Sequence, residues 1–234
     1  MNRPKYLDFA ATTPVDPEVE AIVLHYMREE FGNAGSRTHE YGAAAKKAVQ
    51  FAREQVARVV SASPDEVIFT SGATESNNLA LLGLREHAEK TGKKHLICSS
   101  IEHKAVLEPL QYLEEHHGFS LDLVPCDPSG RIDPLAVSSF IREDTLLVSI
   151  MQVNNETGII QPISEICDIL ENKDIFFHVD AAQGFGKLIE PLQNQRIDLL
   201  SISGHKLYAP KGVGALISRK RNFRRPPIKP LMFG

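Results

Sequence analysis

Short apolar runs separated by segments of helical period are the feature that most constrains how this chain can fold. The runs fall at 67–69, 96–98, 121–124, 146–150, 175–179, 199–202 and 213–217. None alternates strictly between apolar and polar residues, as a strand with one wet face does. Segments 74–89, 104–116, 134–142 and 162–171 lie between several of them with helical spacing. Strands buried on both faces and joined by helices predict an α/β fold, a mostly parallel sheet with helices on both faces. The last two runs have no helix between them, which predicts an antiparallel pair at the sheet edge.

Two helices precede the first strand. Asp16-Pro17-Glu18 supplies an N-cap, a proline at the first helical position and an acidic first turn, for a helix running to about Glu30. Between 41 and 60, Ala45, Ala48, Val49, Ala52, Val56, Val59 and Val60 form one apolar stripe, with Lys46, Arg53 and Glu54 elsewhere on the wheel.

At 234 residues, 42% hydrophobic and 24% charged, the composition is that of a globular domain and excludes disorder and coiled coil. No stretch approaches the ~18 apolar residues of a membrane span. The first residues lack the apolar run of a secretory signal, so a cytoplasmic location is expected. Cys98, Cys126 and Cys167 have no CxxC spacing and read as small structural residues. The histidines show no metal-ligand spacing, so no metal site is expected.

In a parallel sheet, ligands bind at the carboxyl ends of the strands, and five of the runs are followed by chemically useful residues. Thr70-Ser71-Gly72-Ala73-Thr74 opens a helix after 67–69. It reads either as an ordinary hydroxyl-capped start or as a phosphate cradle of backbone N–H groups and a helix dipole. Asp180 closes the run 175–179, where a buried acid needs a cation or hydrogen bonds. It reads as a helix cap or as the counter-ion of a protonated ring nitrogen. Lys206, in Ser203-Gly204-His205-Lys206, sits where desolvation lowers an amine pKa and exposes a nucleophile for a carbonyl. His103 could stack on a planar ring or shuttle a proton, and Asn154-Asn155 could be turn formers or ligand contacts. A lysine for a Schiff base, an acid for a pyridinium nitrogen, an anion cradle and a stacking imidazole are what a pyridoxal 5'-phosphate site requires.

Five segments carry a family likeness: Phe69-Thr70-Ser71-Gly72-Ala73-Thr74-Glu75-Ser76-Asn77, Glu102-His103-Lys104-Ala105-Val106, Val153-Asn154-Asn155-Glu156, His178-Val179-Asp180-Ala181-Ala182-Gln183 and Ser203-Gly204-His205-Lys206. In them the chain resembles the cysteine desulfurases of the class V, fold-type I aminotransferase group. The likeness runs from Tyr6 to Gly212. It implies that Lys206 holds the cofactor and then moves protons at the substrate Cα, with His103 stacked on the ring and assisting. It implies Asp180 at the pyridine nitrogen, Gln183 at the ring hydroxyl and Asn155 nearby. Ala73, Thr74, Ser203 and His205 would hold the phosphate.

The implied reaction converts L-cysteine to L-alanine and passes the sulfur, as a persulfide, to an acceptor protein serving iron–sulfur clusters, RNA or DNA. The implied full-length enzyme is a homodimer. Phe31-Gly32-Asn33-Ala34-Gly35-Ser36 has Ala-Gly where Pro-Ser is usual, a variant similar to desulfurases that feed DNA phosphorothioation. Gln152 stands where a histidine is frequent. The family's nucleophilic cysteine lies downstream of the lysine, and no Cys follows Lys206 here. The chain therefore reads as a large cofactor domain, 16–234, without its C-terminal small domain. Residues 1–15 would pack on that absent domain, whose loss should leave apolar surface uncovered. Two alternatives remain: a related lyase or aminotransferase such as a selenocysteine lyase, or a non-catalytic sulfur-transfer partner. The basic run 219–229 invites a nucleic-acid reading, but a net charge of -4 and the single aromatic Phe223 point to a solvated or interdomain face.

Overall fold

The computed structural model describes residues 4–233. Seven strands form one sheet: β1 (Val67–Thr70), β2 (His95–Ser99), β3 (Ser120–Val124), β4 (Thr145–Met151), β5 (Phe176–Asp180), β6 (Leu199–Ser203) and β7 (Gly214–Ser218). Their order across the sheet is β1-β7-β6-β5-β4-β2-β3. The pairs from β6 through β5, β4 and β2 to β3 are parallel. β7 runs antiparallel to both β6 and β1, so β1 points the same way as β6. The carboxyl ends of β1, β2, β4, β5 and β6 therefore share one rim of the sheet.

The lack of alternation has a direct structural cause. Ile97 belongs to the apolar cluster on one face, while Leu96 and Cys98 belong to the cluster on the other. The first face is covered by α2 (Glu40–Val59), α6 (Pro134–Phe140) and α7 (Ile163–Leu170), through Ala57, Val137 and Ile166. The second is covered by α3 (Ala73–Leu82), α4 (Arg85–Thr91) and α5 (Lys104–His117), through Leu81, Ala88 and Leu110. Both neighbours along a strand are buried, so both are apolar.

Two expectations need correction. β6 and β7 do form an antiparallel pair, but not at the edge, because β1 takes the outer side of β7 with Val67 opposite Ile217. The helix expected over 74–89 is broken at Gly83, whose carbonyl accepts from the Lys229 N–H at 2.9 Å. The returning tail crosses there, and a Cβ on Gly83 would lie 2.9 Å from the Lys229 oxygen.

The first helix, α1 (Pro17–Arg28), follows the expected cap: Asp16 Oδ1 accepts from the Glu18 N–H at 2.8 Å. It buries no residue, and Ile22 and Met27 are 59% and 70% exposed. The basic tail is largely engaged. Lys220 and Arg225 pair with Asp65, Arg221 with Asp198 and Lys229 with Glu86, while Arg219 is buried.

His178 ties three parallel strands together from inside the sheet. Its Nδ1 bonds Ser149 Oγ at 2.8 Å on β4 and its Nε2 bonds Ser201 Oγ at 2.9 Å on β6. Burial pushes its pKa down to about 4, against the attraction of Asp180. The folded ring is therefore neutral where the unfolded one is charged, and the stability it carries is lost as pH falls from 6.5 toward about 4. Denaturant unfolding across that window should show up to about 3 kcal/mol of loss from this residue, and His178→Gln should flatten the slope. An equally steep acid limb in the variant would contradict it.

Candidate active site

The shared rim opens into a cavity of about 470 Å³, a size typical of small-molecule sites. Ala73, Thr74, His103, Asn155, Asp180, Gln183, Ser203, His205 and Lys206 all line it. Nine residues from five loops, spread over more than half the chain, are thus brought to one place by the common strand direction.

Asp180 ends β5 and is 6% exposed. Its Oδ1 accepts from the Ala182 N–H at 2.9 Å and its Oδ2 from Asn77 Nδ2 at 2.8 Å. The acid is thereby held at the rim by hydrogen bonds, which is what makes its burial tolerable. Asn77 is fully buried, lines the cavity, and has no partner for its Oδ1.

Lys206 lies on the short turn Gly204–Lys206 directly after β6 and is half-buried. Burial lowers its pKa and Lys187 adds to that, while Asp180 opposes it. The free amine is accordingly more accessible than on a surface lysine. The same turn is strapped by the N-terminal segment. Thr13 donates its N–H to the His205 carbonyl at 2.8 Å and accepts the Tyr208 N–H on its Oγ1 at 2.8 Å. His205 Nδ1 bonds Thr12 Oγ1 at 3.1 Å, and Gln183 Nε2 donates to the Ala10 carbonyl at 2.9 Å.

At the start of α3, Gly72 caps the helix without any side-chain hydrogen bond. Glu75 Oε2 accepts the Ser71 N–H at 2.6 Å, leaving the Ala73 and Thr74 end of the helix free of a side-chain cap. Gly72 packs on Gly214 of β7, where a Cβ would lie 2.6 Å from the Gly72 Cα. This arrangement favours the cradle over the ordinary capped start: a dipole and N–H groups facing a cavity suit an anion.

His103 is the N-cap of α5, its Nδ1 accepting from the Ala105 N–H at 3.1 Å. That bond leaves Nε2 to carry the proton of the neutral ring. Asn155 donates from Nδ2 to Glu156 Oε1 at 2.7 Å. The cysteines lie elsewhere, and none lines the cavity. Cys98 and Cys167 are buried, and burial pushes the Cys167 thiol up to about 12 and the Cys98 thiol upward too.

Sequence reasoning missed Asp8, Asn77 and Glu156 among the lining residues. Asn77 was readable, lying four residues after Ala73 on the same helix face. Asp8 had no local signal, because only the strap of residues 10–13 across the lysine turn brings it in.

The fold and the cavity together define a cofactor-binding α/β domain that presents an amine, an acid and an anion cradle. The family model described as aminotransferase class-V matches residues 5–234, and the chain belongs to that family. Cysteine desulfurase IscS of Shewanella pealeana is 50% identical over 227 residues, covering 96% of this chain and 56% of the relative. The crystal structure of DndA from Streptomyces lividans is 58% identical with a TM-score of 0.88, covering 98% of this chain and 64% of that one. A structure described as SspA in complex with cysteine is 42% identical with a TM-score of 0.90, covering 99% and 65%. The chain spans about 56% of the length of the first of these relatives.

The family is dependent on pyridoxal phosphate, and the residues present fit that group. The buried Asp180 suits a protonated ring nitrogen, Lys206 an aldehyde, and the uncapped start of α3 a phosphate. The unpartnered Asn77 Oδ1 leaves an acceptor at the cavity wall.

With a small aldehyde and cyanoborohydride, Lys206 should be alkylated at lower pH than the exposed lysines. Asp180→Asn should move its profile lower still, because the carboxylate that favours the ammonium is gone. Peptide-resolved labelling rates check this, and an unchanged profile in the variant would contradict it.

Proposed function

We propose that this chain is the cofactor-binding part of a cysteine desulfurase. L-cysteine loses its sulfur to a thiol, giving L-alanine and a persulfide. The persulfide sulfur then passes to an acceptor protein. The observation that carries the reading is the meeting of Lys206, Asp180 and the start of α3 in one cavity, in a chain 50% identical to a protein named as a cysteine desulfurase.

Bound there, pyridoxal phosphate would supply an electron sink for the pair left when a bond at the substrate Cα breaks. Lys206 would hold the cofactor through its aldehyde and carry protons to and from that carbon. Asp180, held by Asn77 and the Ala182 N–H, would keep the ring nitrogen protonated. His103 would stack on the ring, with Gln183 and Asn155 toward its hydroxyl. Ala73, Thr74, Ser203 and His205 would hold the phosphate.

The attacking thiol comes from elsewhere than Cys98 or Cys167, whose buried thiols resist ionisation. In this reading the exposed Tyr6, Leu7 and Phe9 and the exposed face of α1 meet further protein, either a small domain or a second copy. The enzyme works in the cytoplasm, and no described helix is long and apolar enough to cross a membrane. The ion-paired basic tail gives no support to direct nucleic-acid binding.

Incubation with pyridoxal phosphate, L-cysteine and an added thiol should give alanine and sulfide in equal amounts. Lys206→Ala should lower the rate by about a hundred- to ten-thousandfold, the range for losing a positioned proton-transfer group. A keto acid product would instead indicate an aminotransferase, and alanine formed only from selenocysteine a selenocysteine lyase. No cofactor uptake would leave a non-catalytic partner.

A further inference from the structure

Directly behind the wall that carries His103 lies a carboxyl group with no role so far. Glu102 is 6% exposed. Its Oε1 accepts from Ser99 Oγ and, at 2.7 Å, from the Met151 N–H, while its buried Oε2 has no partner. Ser99 ends β2 and Met151 ends β4, so this one side chain staples the loop before His103 to two neighbouring strand ends. Asn154 adds a second tie, donating from Nδ2 to the Ile101 carbonyl at 3.1 Å. The loop holding His103 is thus fixed from below, whereas the imidazole's own bond, to the Ala105 N–H, is local to α5.

The protonation state of this carboxyl matters because of what surrounds it. An ionised Glu102 would place an unpaired oxygen in a dry interior close to a second carboxylate, Asp180. We propose that Glu102 is a positioning residue for His103: a neutral carboxylic acid that pins the loop and keeps a second negative charge away from Asp180. This rests on the reading that the cavity holds pyridoxal phosphate between His103 and Asp180.

The titratable groups around it are Asp180 at the end of β5, Cys98 on β2 and its chain neighbour His103. Burial, aided by Asp180 and opposed by the hydrogen bonds from Ser99 and Met151, pushes Glu102 up to about 8, and Glu102 in turn helps push Cys98 up. In Glu102→Gln the side-chain oxygen can still accept both hydrogen bonds, but the group cannot ionise. In Glu102→Ala the staple is lost.

The test uses the protein loaded with pyridoxal phosphate and reads the absorption and circular dichroism of the bound cofactor while pH is raised through about 8. The wild type should show a spectral transition there that Glu102→Gln lacks, any transition belonging to Lys206 being common to both. Glu102→Ala should bind the cofactor roughly tenfold more weakly, with reduced induced dichroism, and Glu102→Gln should restore both. A purely structural tie would be rescued by Gln without removing the transition, so superimposable titrations of wild type and Glu102→Gln would overturn the proposal even if Glu102→Ala does not fold. Uptake and dichroism in Glu102→Ala equal to the wild type would overturn it as well. If the wild type itself takes up no cofactor, the cofactor reading fails and this inference falls with it.

Discussion

Burial of the sheet on both faces is the constraint from which the rest follows. With helices packed above and below, the strand interiors are apolar except where polar side chains satisfy one another, as Ser149, His178 and Ser201 do, and helical crossovers make the strands parallel. Unpaired polar groups are thereby expelled from the sheet interior to its carboxyl rim. Six strands point to that rim, and β7, the one strand running the other way, lets β1 join them with the same polarity. The α3 loop and the lysine turn become neighbours through this detail, since β1 and β6 flank β7.

Placing charge at such a rim needs support from behind, and the structure supplies it in pairs. Asp180 is held by Asn77 and the Ala182 N–H, the loop before His103 by Glu102, and the lysine turn by Thr12 and Thr13. His178, two residues before Asp180, crosslinks β4, β5 and β6 and fixes the strand from which the acid projects. Side chains fixed in this way lose little freedom on binding, which is how a rigid scaffold favours a charged planar ligand.

Much of this was legible in the sequence because the chemistry is local to each strand end. Asp180, Lys206, His103 and Thr74 each lie within five residues of the end of an apolar run, so reading the strands amounted to reading the rim. What was not legible depends on distant contacts. The helix over 74–89 has unbroken period, and only the tail crossing at Gly83 divides it. The place of β7 inside the sheet was hidden because its outer partner, β1, lies far away in sequence. Asp8 enters the cavity through a strap whose hydrogen bonds join residues more than 190 positions apart. Glu102 was read as part of a motif, but its staple to Met151 appears only when β2 and β4 are seen side by side.

The most direct test of the account is chemical mapping of the amine. Protein incubated with pyridoxal phosphate, reduced with borohydride and digested should carry a pyridoxyl group on Lys206, with the yellow absorption lost in proportion. Lys206→Ala should yield no stoichiometric adduct. A colourless wild-type protein, or a modification spread over surface lysines with none at 206, would contradict the convergence of amine, acid and anion cradle on one cofactor.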